Sequence, residues 1–342
     1  MSHAQQPITK AARRPCYEWA RAAGCIAIVF LHVFVTEANA VGYAALGSTR
    51  VLVGDLLTIM LTRWAVPVFL MVSGALLLDP SKDVGWPRLL GYARRMLLVL
   101  ATFGLAFCLI ESVVMHGGLA PEVVGEALRN LLTGNTWGHL WYVYALLGLY
   151  LLTPALRLLT TRLDQRRLGL VLAAAYVLVL VVPTVTQLAR GVALATPANL
   201  VPAAFYYLLG WYAHAYLRFD GQTVALGATS LVAMLVAAFL GRGDLCLPEY
   251  CLVAPYGALA FLAFERFATC PIERCPVAAL LADRSFGIYV IHPLFLHVIV
   301  RVVSPLSMPW GVYEALAFAV ALAGSVVVVG LLRRTPSFTS II

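Results

Sequence analysis

Apolar residues run along most of this chain in long blocks separated by short polar connectors. A helix needs roughly 20 apolar residues to cross the hydrocarbon layer of a bilayer. On that measure the pattern predicts ten spans: 17–37, 53–78, 95–115, 138–159, 168–188, 198–217, 222–241, 247–267, 285–303 and 311–332. Pro202 and Pro255 fall inside the sixth and eighth, where neighbouring helices can satisfy the backbone groups that a proline frees. The expected fold is therefore all-α, a polytopic membrane helical bundle of about ten transmembrane helices. An amino-terminal tail, 1–16, precedes a transmembrane domain, 17–333, and a short tail, 334–342, follows it. The longest connectors, near 79–94, 116–137 and 268–284, are too short for an appended soluble domain. Chemistry must then take place inside the bundle or at its faces.

Composition supports the span count. The chain has 342 residues, 62% hydrophobic and 12% charged, and its mean hydropathy is +0.88. That much apolar surface cannot be hidden in a soluble domain of this size. No small-residue cleavage site follows a short apolar core near the start, so the first span is expected to be retained. The net charge of +8 is not a nucleic-acid signature, because the basic residues sit in the connectors. With a cytoplasmic amino terminus, ten spans place 17 Lys and Arg on the inner side and 5 on the outer, with Arg21 and Arg63 within spans. This asymmetry is the positive-inside pattern, and an error of one span midway would have scrambled it. Both termini are accordingly expected in the cytoplasm. The seven cysteines have no metal-ligand spacing, and no metal site is expected. Cys246 and Cys251, in "CLPEYC", fall in an outer connector where a disulfide is chemically permitted. Whether they bridge depends on geometry that the sequence does not contain.

Several ionisable groups interrupt the apolar blocks. A charge in hydrocarbon costs about 2.5–3.5 kcal/mol on insertion scales, so each marks a functional hypothesis. In "YEWARAAGCIAIVFLHVFV", Glu18, Arg21 and His32 fall on one helical stripe. Arg21 and His32 are separated by three turns plus about 20° of rotation and about 16 Å of rise. Glu18 precedes Arg21 by three residues, a spacing at which the two can pair. In "RWAVPVFLMVSGALLL", Arg63 lies in mid-span and retains its proton, so it needs an anion or a wet cavity. Glu37 and Asp55 are candidate partners. His139 sits at the start of the fourth span beside Trp137, Trp141 and Tyr142, as part of an aromatic interface belt or as a contact for a sugar. Ser285, Tyr289 and His292 share a face of the ninth span; His292, before Pro293, either lines the cavity or bonds a freed carbonyl. His3, His116, His214 and His297 lack comparable context.

Taken together, the Arg21–His32 spacing, "RWAVPVFLMVSGALLL", "HLWYVYALLGLYLLTPALR", "FYYLLGWY" and "FGIYVIHPLF" resemble the acyltransferase 3 family of bacterial membrane proteins. The likeness extends from about residue 16 to 330 and is greatest to the short, single-module O-acetyltransferases of surface glycans, the enterobacterial common antigen type. Two departures stand out: Glu18 replaces the usual aspartate, and adjacent Arg94 and Arg95 replace two arginines three apart. The resemblance implies a multi-pass protein of the bacterial cytoplasmic (inner) membrane. It would move an acetyl group from cytoplasmic acetyl-CoA to a hydroxyl of a glycan or lipid-linked sugar. Arg21, Arg88, Arg94 and Arg95, with Lys82, would then hold the donor's phosphates by charge-assisted bonds. His32 would act as general base, or carry the acyl group as a nucleophile, and Arg63 would stabilise the oxyanion. His139, Trp141, Tyr289 and His292 would contact the acceptor. The spans and buried charges alone also suit a glycan-intermediate transporter or a non-catalytic membrane sensor.

Overall fold

The computed structural model describes residues 14–118, 120–191 and 199–342. The first 13 residues of the expected amino-terminal tail lie outside that range. Among the described residues ten principal helices follow one another: α1 Pro15–Val41, α2 Ser48–Leu77, α3 Trp86–His116, α4 Trp141–Arg162, α5 Gln165–Arg190, α6 Leu200–Tyr216, α7 Gly221–Phe239, α8 Val253–Phe267, α9 Pro276–Val302 and α10 Trp310–Leu332. Eight segments are long and apolar enough to cross a membrane; α6 and α8 have only 17 and 15 residues. The protein is an all-α polytopic bundle, as the sequence predicts.

The boundaries differ from the hydropathy blocks where charge continues a helix. α3 and α9 begin well before the blocks at 95 and 285, each with a proline in its first turn. A proline is tolerated there because its missing N–H would have no helical partner. The extensions carry Arg88, Arg94, Asp283 and Arg284, which an apolar count excludes. The eighth predicted block changes in the other direction. Its first residues, Leu247 to Leu252, are irregular backbone, and helix begins only at Val253. Irregular backbone at membrane depth is tolerated where it lines a cavity, and Leu247, Pro248 and Glu249 do so.

α1 occupies the middle of the bundle, packed on α2, α8, α9 and α10. In their most apolar windows, α1 and α2 are 50% buried, whereas α5, α7 and α10 are 22% buried and form the flanks. Apolar surface gains little by leaving lipid, so helices associate here through close backbone approach and hydrogen bonds. The α2–α6 crossing shows this most clearly. A Cβ on Gly74 would overlap the Tyr207 carbonyl oxygen, and one on Gly210 would overlap that of Met71. The glycines of "SGALLL" and "LLGWY" thus let two backbones meet. Nearby, Thr153 and Tyr207 hydrogen-bond across α4 and α6 at 3.0 Å.

The end of α2 is closed by a residue of α4. Arg157 Nη1 donates to the carbonyls of Leu77 (2.8 Å) and Asp79 (3.0 Å), and Nη2 to that of Lys82 (2.7 Å). Thr160 Oγ1 donates to Leu78 O at 2.9 Å. These bonds satisfy carbonyls that a helix terminus leaves without partners. Over the other connector, Pro121–Thr133 is an amphipathic helix, and Tyr144 donates to its Leu131 carbonyl at 2.6 Å. Cys246 and Cys251 are free thiols. Cys246 is buried with Sγ on the Met234 carbonyl, while the Cys251 amide bonds Thr184 Oγ1. The carboxy-terminal segment packs rather than trails: Ile341 and Ile342 are buried, and Arg95 Nε donates to Ile341 O at 2.8 Å.

Two substitutions test this packing. Gly74→Leu is expected to destabilise the folded protein by more than about 3 kcal/mol, because backbone rather than side chain blocks the new atoms. Arg157→Ala removes charge-assisted bonds and should cost about 2–4 kcal/mol. Thermal midpoints in one detergent, compared with the parent and with Arg162→Ala on the same helix, measure both. Midpoints equal to the parent's would contradict the packing described.

Candidate active site

Pro67 explains where the site lies. A proline has no N–H for the carbonyl four residues earlier, and its ring clashes with that carbonyl. In α2 the carbonyl is that of Arg63, and the helix breaks there, running Ser48–Thr62 and then Ala65–Leu77. The guanidinium is carried at this break. Its Nε is buried without a hydrogen-bond partner. Among the described residues no carboxylate lies within ion-pair distance of it. Glu37, one expected partner, is fully buried and pairs with Arg50 instead. Asp55, the other, shares a cavity lining with Arg63 without forming an ion pair.

Four cavities stand in a row through the bundle. At the basic end, a mouth of about 630 Å³ is lined by Arg14, Arg21, Lys82, Arg88 and Arg95. Next comes a throat of about 250 Å³, which shares Arg21, Ser73, Arg95, Met96 and Tyr150 with the mouth. Beyond it, a chamber of about 170 Å³ holds His32, Arg63, His139 and Trp141. It shares Ile28, Val66, Tyr142 and Tyr289 with the throat. Last is a vestibule of about 880 Å³, which shares Leu31, His32, Arg63, His139 and Leu247 with the chamber. Arg242 and Asp244 form a two-bond ion pair on its wall, at 3.0 and 3.1 Å. The Arg242 guanidinium holds the Asp244 carboxyl below the ordinary carboxylate range.

Three imidazoles meet at the chamber. Ring centroids are 4.9 Å apart for His32 and His292, 5.8 Å for His139 and His292, and 6.3 Å for His32 and His139. Their hydrogen bonds assign the neutral tautomers. A carbonyl oxygen only accepts, so a ring nitrogen against one carries the proton. His292 Nδ1–H donates to Ile288 O (3.0 Å), which leaves Nε2 as an acceptor. His32 Nδ1–H donates to Ile28 O (2.9 Å) and also points at that acceptor, His292 Nε2 (3.0 Å). The lone pair of His32 therefore rests on Nε2, free of bundle contacts among the described residues. In the same way His139 Nε2–H donates to Val290 O (3.2 Å), and Tyr289 Oη donates to the His139 carbonyl.

The remaining candidates separate cleanly. Glu18 and Arg21 pair at 3.0 Å, as their spacing predicts, and Arg21 lines both mouth and throat. Arg88 lines the mouth and donates to Tyr92 Oη at 2.9 Å. Arg95 lines mouth and throat, with its guanidinium 4.8 Å from the Phe286 ring centroid. Arg94, expected beside it, is exposed and outside these linings, because adjacent helical positions face different directions. His292, expected to contact an acceptor, is fully buried behind His32 and does not line the chamber. Trp137 stacks on Phe107 at 4.5 Å, while Trp141 lines the chamber. Sequence reasoning passed over two groups. His297 lines the vestibule, although a lone histidine gave no signal. At the basic end, Tyr17 Oη donates to Glu265 (2.8 Å), and His214 bonds the same carboxylate (2.6 Å).

A bundle of apolar helices that encloses a basic mouth, a histidine chamber and a polar vestibule defines a multi-pass membrane protein with polar space in its interior. A family model described as an acyltransferase domain matches residues 14–333, and the chain belongs to the acyltransferase 3 family. No curated protein and no solved structure matches the chain.

The tautomers are directly measurable. In ¹⁵N spectra of histidine-labelled protein in nanodiscs, His32 and His292 are expected as Nδ1–H forms and His139 as the Nε2–H form. Assignment by His→Gln substitution identifies each signal. An Nε2–H signal from His32 at neutral pH would refute the arrangement.

Proposed function

We propose that this membrane acyltransferase is an O-acyltransferase of the bacterial cytoplasmic membrane, moving a small acyl group, acetyl by resemblance, from cytoplasmic acyl-CoA to a hydroxyl of a surface glycan or lipid-linked sugar. One observation carries the reading: four cavities, each sharing lining residues with the next, lead from a basic mouth to His32 and on to a polar vestibule. The basic mouth lies at the end that the positive-inside pattern assigns to the cytoplasm, which suits a donor carrying several phosphates. Arginine and lysine recognise phosphate through charge-assisted hydrogen bonds, and Arg14, Lys82 and Arg88 are placed for that role. The thioester arm then extends along the throat past Arg21 and Arg95.

In this reading the acceptor hydroxyl enters from the vestibule. His32 Nε2 removes its proton as the oxygen attacks the thioester carbonyl carbon. The carbonyl becomes an oxyanion, and the unpaired guanidinium of Arg63 is the cation nearest at hand to stabilise it. The carbon–sulfur bond breaks, the acyl ester remains on the acceptor, and imidazolium His32 returns its proton to the departing thiolate. His292 acts as a positioning residue: its Nε2 accepts from His32 Nδ1–H and supports the positive charge that His32 gains. These steps call on no metal.

Purified protein with acetyl-CoA and a glycan extract provides the test, read as released CoA thiol and as acetylated glycan by mass spectrometry. His32→Ala should lower turnover by about 10²–10⁴-fold, and Arg63→Gln by about 10²–10³-fold. Arg88→Ala should raise the KM for acetyl-CoA with kcat nearly unchanged, since it removes ground-state binding alone. Parent-like turnover by a folded His32→Ala protein would end this reading, and glycan movement without thiol release would favour a transporter.

A further inference from the structure

Throat and chamber adjoin at one level of the bundle, and the side chains common to both are Ile28, Val66, Tyr142 and Tyr289. Each comes from a different helix, α1, α2, α4 and α9 in turn. Two aliphatic side chains and two phenol rings therefore border both cavities. The rings of Tyr142 and Tyr289 meet edge to face, with centroids 5.5 Å apart at 67°. Tyr289 is pinned through its hydroxyl to the His139 carbonyl. Ile28 is fixed as well, because its carbonyl receives the His32 imidazole.

On either side of these four residues the linings are charged. Arg21 and Arg95 face the throat, and Arg63 faces the chamber. The cavities, of about 250 and 170 Å³, each have room for several waters, whose share of liquid volume is about 30 Å³. Water filling both spaces with no dry constriction between them would let protons cross along it. These four residues line the spaces on both sides, and so stand where such a constriction would lie.

We propose that Ile28, Val66, Tyr142 and Tyr289 form a collar that is the permeability barrier of this protein, parting the water of the two faces. Resting on the acyl-transfer reading, the same collar is the aperture through which only the acyl end of the donor reaches His32. Its second consequence is chemical. With the collar intact, vestibule water is kept from the thioester. With it opened, a water oxygen attacks the acyl carbonyl, the carbon–sulfur bond breaks, and the sulfur leaves as the thiol with a proton. The products are CoA and the free carboxylic acid, with no acceptor consumed.

Two measurements decide the matter. Proteoliposomes holding a pH dye and an imposed proton gradient are prepared with parent protein, Tyr142→Ala, Val66→Ala and Tyr142→Phe. The two truncations should dissipate the gradient severalfold faster than the parent, while Tyr142→Phe, which keeps the ring, should match it. Val66→Ala removes only two methyl groups and guards against misfolding of the tyrosine variant. Parent-like leak in both truncations overturns the collar. The second measurement is CoA thiol released from acetyl-CoA without acceptor, as a fraction of that released with it. This fraction should rise severalfold in Tyr142→Ala and stay at the parent value in Tyr142→Phe; an unchanged fraction in an active Tyr142→Ala protein overturns the aperture. If parent protein releases no thiol even with acceptor, the acyl-transfer reading fails, and the leak comparison still decides the barrier.

Discussion

Pro67 denies the Arg63 carbonyl its helical hydrogen bond, and the break that results carries a guanidinium into the interior with no carboxylate against it. In hydrocarbon such a charge is tolerated only beside an anion or in water-accessible space. The rest of the bundle supplies the space. The connector before α8 stays irregular instead of completing a helix, so that Leu247, Pro248 and Glu249 form a chamber wall. Glu37 is occupied by Arg50 and so cannot neutralise Arg63. In the proposed reaction, neutralisation would remove a cation placed to meet a developing oxyanion. On that reading the unpaired state of Arg63 is a stability cost kept for the chemistry.

The imidazoles follow the same logic from the other direction. Each of the three gives one N–H to a backbone carbonyl: Ile28 for His32, Ile288 for His292 and Val290 for His139. Two of these bonds reach four residues back along the same helix, where a histidine side chain naturally falls. The tautomers are thus dictated by backbone, which cannot rotate to offer a donor instead. His292 then has nothing but a lone pair to present to His32, and His32 nothing but a lone pair to present to the chamber. A proton taken up by His32 finds an acceptor already in place behind it.

Much of this was legible in the sequence, and the failures are specific. Ten helices, the Glu18–Arg21 pair and the alignment of Arg21 with His32 follow from hydropathy and helical period alone. The helix Pro121–Thr133 carried its own signals, a proline in the first turn and Gly134 with φ of 77° just past the end. A count of apolar spans leaves it in a connector because it is too short to span. Arg94 and Arg95 could not be told apart, since which of two neighbours faces a cavity depends on helix rotation, and packing sets that. The spacing leaves His292 open between lining the cavity and bonding a carbonyl, because it reveals a face of α9 but not what lies against it. What lies against it is α1, a contact between residues 260 positions apart. The collar was invisible for the same reason, since four ordinary apolar and aromatic residues acquire meaning only from standing at one level.

α1 links these parts into one device. Arg21 reaches the mouth, the Ile28 side chain narrows the collar, its carbonyl sets the His32 tautomer, and His32 opens on the chamber. The four roles sit on a single rigid helix, so their spacing is a matter of residue count rather than tertiary adjustment. From Arg21 to His32 the rise is about 16 Å, and in the proposed reaction a donor anchored at the mouth would present its thioester at that depth. One inserted residue between them would lengthen the step by only about 1.5 Å but rotate His32 by about 100° off the line of cavities. Direction, more than distance, is therefore the quantity that the eleven-residue interval protects. A histidine ten or twelve positions beyond Arg21 would occupy nearly the same depth and face a neighbouring helix instead of the substrate.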